Sequence, residues 1–337
     1  MKIQDLIKFP PLHKVTANTL AQLVPTFYPD YKPAYKMVNG NTTIGIEVEV
    51  ENLRDPPGVV LWELKQDGSL RNHGHEYVTA PIPAHAAELA LKLLYDRLPL
   101  EVDFSRRTST HVHMNIRNME VSEVCSILLL YLIFEPALFK FVGQERDKNI
   151  HCVPIRDTNF VQFIQNLELV TSTGDYRQFR QIPWQKYTAL NLAPTTEGVT
   201  GTLEFRHMHG TRDIDKMLIW INLILSLKTY AQKHNYENVK QQIYELNSNS
   251  LYRQFANEVF TVHVNSIISE TDYFEFEKEM EEGILQVKTY LSSQAFLTHL
   301  IEELRKTKIE KSYVSLDSSS VNDIMNALGP LEEREEN

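Results

Sequence analysis

Three segments of the chain alternate strictly between apolar and polar residues. From Thr43 to Glu51, Ile44, Ile46, Val48 and Val50 fall on one side and Gly45, Glu47, Glu49 and Glu51 on the other, the two-residue period of a half-buried strand. His111 to Ile116 repeats the pattern, with Val112, Met114 and Ile116 opposed to His111, His113 and Asn115. Thr202 to His207 does so again, with Leu203 and Phe205 opposed to Thr202, Glu204 and Arg206. Shorter strands are predicted at Glu76–Thr79, after a turn-rich stretch containing Asp67-Gly68, and at Tyr187–Leu192. The latter makes a hairpin with 202–207 across a polar loop that holds Gly198 and Gly201.

Between these strands the spacing turns helical. Helices are predicted over Ala84–Leu98 after Pro83, from about Glu120 to Val142, and over Asp213–His234, where Met217, Trp220, Ile221, Ile224, Leu225 and Leu227 form the apolar stripe and Asp213 the N-terminal cap. Residues 1–40 contain Pro10, Pro11, Pro25, Pro29 and Pro33 and are expected to form an ordered extension. Residues 41–235 are expected to form the core, and 236–337 a charged, helical C-terminal region ending in the acidic tail Glu332–Asn337. No internal repeat is present. Strands interleaved with helices, each strand with one apolar and one polar face, predict an α+β fold.

Composition narrows the function. At 42% hydrophobic, 337 residues can bury a sizeable core. The 44 acidic residues outnumber the 34 basic ones, for a net charge of −10, which argues against a nucleic-acid partner. Cys125 and Cys152 are too few for a disulfide framework and lack the spacing of a structural zinc site. The longest strongly apolar run, Ile127–Phe134, is short of a membrane span, and the N-terminus lacks a secretory pattern, so a cytoplasmic, membrane-free protein is expected.

The polar faces carry the candidate chemistry. Glu47, Glu49 and Glu51 project from one strand face about 6.6 Å apart at neighbouring positions. Each face has a bland explanation: an acidic solvent-facing edge, a pair of exposed histidines, and a weak same-face ion pair of Glu204 with Arg206. That three strands each oppose an apolar face to ligand-type residues points instead to one sheet lining a polar cavity. Glutamate-rich oxygen ligands favour Mg2+, with Mn2+ as a substitute, and such ions bridge to the phosphates of ATP. Arg206 is suited to a developing charge at the γ-phosphate. Neither a phosphate-binding P-loop motif nor a G-x-G-x-x-G fingerprint is present.

The order of these segments resembles the glutamine synthetase and glutamate–cysteine ligase superfamily, and most closely its amidoligase branch. The resemblance rests on Gly45-Ile46-Glu47-Val48-Glu49, Asp67-Gly68-Ser69 with Gly74-His75-Glu76, Ser109-Thr110-His111-Val112-His113, and Thr202 to His207 through Gly210. It implies a glutamine-synthetase-like, mostly antiparallel curved sheet whose concave polar face forms the active site, with helices on the other face. It further implies that Glu49 and Glu76 help hold one metal, that Glu47, His111 and Glu204 help hold a second, and that His113 lies near the nucleotide phosphates. Arg206 would steady the transferring phosphoryl group, Asn115 would contact the nucleotide, and Arg146 would touch substrate or phosphate. Tyr187, beside Lys186, is read either as packing or as part of the nucleotide pocket.

The implied activity is ATP-dependent amide formation through an acyl phosphate, between small-molecule or peptide carboxylate and amine substrates. Free ammonia and glutamate do not follow, because the chain lacks glutamine synthetase's pocket signatures for them. Two other functions compete: a zinc hydrolase using His111, His113 and either His207 or His209 with Glu204 as base, and a ligase-like scaffold without activity. Alternation already points His207 away from Glu204.

Overall fold

A computed structural model describes residues 1–13, 19, 31–143, 146–158, 179, 184–269, 274–289 and 291. The alternating segments pair into one open, antiparallel sheet of seven strands: β1 (Thr43–Val50), β2 (Trp62–Lys65), β3 (His75–Thr79), β4 (Ile82–Pro83), β5 (Ser109–Asn115), β6 (Leu190–Asn191) and β7 (Thr202–His209). Their order is β2-β3-β1-β5-β7-β6, with β4 pairing the start of β1. The β6–β7 hairpin is present, with Asn191 opposite Glu204, and its connection holds a short helix, Ala193–Thr196. Together with the helices below, this is the expected α+β class.

The helices in chain order are α1 (Ile3–Leu6), α2 (Ala87–Tyr95), α3 (Val121–Val142), α4 (Ala193–Thr196), α5 (Ile214–Lys233), α6 (Tyr236–Glu245), α7 (Asn249–Phe260) and α8 (Val264–Ser269), followed by helical residues 274–289. Glu120 and Glu123 cap α3 reciprocally, and the Asp213 carboxylate accepts from Lys216 N at 2.9 Å to start α5. Ala84–Ala86, predicted as α-helix, is a 3-10 turn leading into α2. These elements belong to one unit, Met1–Tyr290, which takes in both α1 and the helices from Tyr236; a second unit begins at Leu291. The acidic tail and residues 14–18 and 20–30 of the expected extension lie outside the described residues.

One face of the sheet is the core. Ile44, Ile46, Val48, Val112, Met114, Leu203 and Phe205 are all buried, and α3 and α5 cover them: Phe205 meets Tyr131 of α3 and Trp220 of α5 edge to face. Each such side chain contributes about 1.5–3 kcal/mol by leaving water. Helix α3 is long and apolar enough to cross a membrane, but 94% of its most apolar stretch is buried inside the protein. Its hydrophobicity is therefore used by the sheet and the surrounding helices.

One irregularity matters for the site. Thr110 pairs with Met208 and Val112 with Phe205, so His111 opposes both Arg206 and His207 in a β-bulge. Beyond the bulge the facing of β7 is reversed: Met208 joins the buried face, and His209, opposite Ser109, joins the polar one.

Candidate active site

Register assembles the polar face. Glu47 on β1 sits opposite His111 on β5, Glu49 opposite Glu76 on β3, and His113 opposite Glu204 on β7. Directly opposed residues share a face, so carboxylates and imidazoles from four strands meet over one patch of sheet. They line a cavity of about 290 Å³ together with Asp67, Ser69, Arg107, Ser109, Arg146, His151, Lys186, Tyr187 and Arg206. Of the residues expected to serve a ligase site, every one but Asn115 is in this cavity, while Glu51 accepts from Arg71 N outside it. Asn115 lies farther along β5, where its side-chain oxygen accepts from Arg117 N at 3.0 Å.

The acidic groups form two neighbouring sets. In the first, oxygens of Glu49, Asp67 and Glu76 lie within 4.8 Å of one another. Glu49 Oε2 is fixed by Ser109, whose amide donates at 2.8 Å and whose hydroxyl donates at 2.7 Å. Burial, reinforced by the charges of Glu47, Glu49 and Asp67, pushes the Glu76 carboxyl up to about 8. In the second set, Glu47, His113 and Glu204 also offer ligand atoms within 4.8 Å, and Glu47 shares a third grouping with Glu76 and His111.

Imidazoles offset the charge of this second set. His111 Nδ1 lies 3.0 Å from Glu47 and 3.4 Å from Glu204, while its Nε2 is 2.7 Å from Ser109 Oγ. His113 Nε2 is 3.0 Å from Glu47, and its Nδ1 is 3.0 Å from Thr202 Oγ1. Burial works against the charged form of His113, yet the Glu47 carboxylate outweighs it and raises the ring to about 9. Burial would likewise raise Glu47 and Glu204, but the adjacent imidazoles hold Glu47 well below the usual carboxylate range and hold Glu204 below it. Arg206 is ion-paired to Glu204, whose other oxygen accepts from Asn191 Nδ2 at 2.7 Å.

Residues 49–228, more than half of the chain, match a protein family described as "putative amidoligase enzyme". The chain belongs to this amidoligase family. Membership makes it an enzyme of ligase type. The match runs from Glu49 in β1 to Lys228 in α5 and so includes Glu76, His111, His113, Glu204 and Arg206. No curated protein matches the chain.

Around this cavity the amidoligase uses Arg146 for more than lining. Its Nε donates to the His207 carbonyl at 2.9 Å and its Nη2 to the Arg206 carbonyl at 2.7 Å, so it clamps the bulge of β7 while facing the cavity. His207 points to the opposite face, with Nε2 2.6 Å from the Tyr131 hydroxyl and its ring packed against Phe139 and Trp220. Burial, with the Arg146 charge beside it, holds His207 well below the usual imidazole range. His209 lines a separate hollow. The histidines required by the zinc-hydrolase reading therefore do not share the cavity.

Several lining residues were not singled out by sequence. Arg107, His151 and Lys186 stand on loops, which carry no periodic signal. Ser109 was legible in principle, since it falls on the same strand face as His111. Asn191 is visible only once the β6–β7 register places it against Glu204.

Proposed function

We propose that this amidoligase is an ATP- and magnesium-dependent carboxylate–amine ligase of the glutamine-synthetase-like superfamily, working through an acyl phosphate. The observation that carries the proposal is the convergence of two acidic sets with Arg206 in a single cavity. The donor set fits hard cations. Burial, reinforced by the crowded charges of Glu47, Glu49 and Asp67, keeps a proton on Glu76 near neutrality, and a divalent ion would relieve that crowding. Glu49, Asp67 and Glu76 would hold one ion, and Glu47, His111 and Glu204 the other. When bound, Mg2+ or Mn2+ supplies charge neutralisation to the transferring phosphoryl group.

The chain's own groups do the rest. Glu204 holds the Arg206 guanidinium over the cavity, ready for the oxygens of the γ-phosphate. Lys186 and Arg107 add positive charge from facing loops, and His113 is kept protonated beside the phosphates. Tyr187, edge-on to His151 at 5.1 Å, forms the cavity wall where the nucleotide enters. A substrate carboxylate oxygen attacks the γ-phosphorus and ADP leaves; an amine then attacks the acyl carbon and phosphate departs, leaving an amide. The substrates are a small-molecule or peptide carboxylate and an amine, the setting is the cytoplasm, and neither nucleic acid nor membrane takes part.

The test is ADP release by the purified protein with ATP and Mg2+ against pooled amino acids and short peptides, with Glu204→Gln as control. Release stimulated by the pool and lost in the variant supports the proposal. Equal release by both proteins would rule it out.

A further inference from the structure

Beside the catalytic cavity opens a hollow of about 560 Å³. Arg106, Arg107, Arg146, Lys148, His151 and His209 line it, and none of the described residues lining it is acidic. That is the reverse of the chain's balance of −10 and of the carboxylate-rich cavity next door. Arg107, Arg146 and His151 line both spaces, so the hollow and the cavity share a wall. The bulge in β7 completes it: by reversing the facing of the strand end, it brings His209 to the polar side opposite Ser109.

We infer that the hollow is the subsite for the outlying carboxylates of an elongated acidic substrate, whose reacting carboxylate reaches the cavity. The inference rests on the ligase reading, because it names the substrate class of that same site. The volume lies within the roughly 300–1,000 Å³ of ordinary ligand pockets, enough for more than one residue of a peptide. Guanidinium groups pair with carboxylates through two parallel hydrogen bonds, and the exposed Arg106 and Arg107 line the hollow together, with the buried Arg146 adding charge from its wall. A nucleotide triphosphate would be served less well. It travels with divalent cations, and among the described residues the clustered oxygen ligands for those cations line the cavity and not the hollow.

The test uses the full chain without ATP, so that it reads binding alone. Titration calorimetry with a tri-glutamate peptide is compared with tri-glutamine amide, and then repeated on an Arg106→Gln, Lys148→Gln double variant. Both positions are exposed, and melting temperature verifies the fold. The expected result is binding of tri-glutamate alone, about tenfold weaker in the double variant, the equivalent of about 1.4 kcal/mol, and weakened further by salt. Mg-ATP affinity stays unchanged in that variant. Equal binding of both peptides, or tri-glutamate affinity unaffected by the double variant, would overturn the inference. So would a variant that loses Mg-ATP affinity and keeps tri-glutamate, since the hollow would then serve phosphates. If tri-glutamate binds as expected while no peptide stimulates ADP release, the subsite stands and the ligase proposal is what has failed.

Discussion

Glu135, in the middle of α3, gives the fold a pH dependence that can be isolated with one substitution. It is 1% exposed, and its Oε1 accepts from the Tyr131 hydroxyl at 2.8 Å and Ile155 N at 2.7 Å, while Oε2 accepts from Arg156 N at 3.3 Å. Burial outweighs these hydrogen bonds and raises the carboxyl to about 7 from an ordinary 4.5. Between those values the native protein holds a proton that the unfolded chain has released. Stability therefore falls as pH rises through this window, and the loss is complete above about 7. The interval from 4.5 to about 7, at about 1.4 kcal/mol per pH unit, amounts to about 3 kcal/mol.

Glu135→Gln removes the titration but keeps the volume and an oxygen for Tyr131 and Ile155; its amide nitrogen meets only the longest contact, at Arg156 N. Urea unfolding of both proteins in steps from about pH 4.5 to about pH 8 gives the stability difference at each pH, in which the titration of all other groups cancels. The variant should gain on the wild type by about 3 kcal/mol across the series. Parallel curves, with a constant difference, would refute the burial argument for Glu135.

Other expected outcomes address the site and the packing. Glu49→Gln and Glu204→Gln should each abolish the rise in melting temperature that Mg-ATP gives the wild type, about 2.7 kcal/mol of stabilisation at a hundredfold excess over Kd. Wild-type-like shifts in both would remove these residues from the cation sites. Arg206→Ala should lower kcat by about 10²–10³ with ATP affinity little changed, and unaltered turnover in steady-state assays would exclude the phosphoryl role. Gly283→Ala should cost about 1–3 kcal/mol, because a Cβ there would lie 2.8 Å from Ile133 Cα in α3 and closer still to its carbonyl oxygen. An unchanged melting temperature would show that this helix contact is looser than it looks.

What the sequence disclosed, and what it hid, follows from where each residue buries its side chain. β1, β5 and β7 were legible because each sets an apolar face against helices and a polar face against a cavity, which writes a two-residue period into the chain. β2 was not, because Glu63, Leu64 and Lys65 are all exposed on this edge strand and leave no apolar face to read. The polar faces yielded Glu47, Glu49, His111, His113, Glu204 and Arg206 for the same reason. Asn115, on the same face as His113, came from the family resemblance and is not among the residues lining the cavity. Arg107, His151 and Lys186 stayed hidden because loop positions are set by tertiary contacts with no repeating pattern.

The bulge shows why alternation stops being a guide at His207. Unbroken pairing would turn Met208 to the cavity and His209 under the helices, placing an apolar side chain among charged groups and an imidazole in the core. With His111 opposed to both Arg206 and His207, the strand gains one residue at that point. Met208 is then buried, Arg206 stays with Glu204, and His209 comes out beside Arg107 and Arg146. The Arg146 hydrogen bonds to the carbonyls of residues 206 and 207 hold that extra residue in place. One guanidinium thus braces the bulge that leaves Arg206 over the acidic cavity and turns His209 to the basic hollow, so that both walls depend on a single strand.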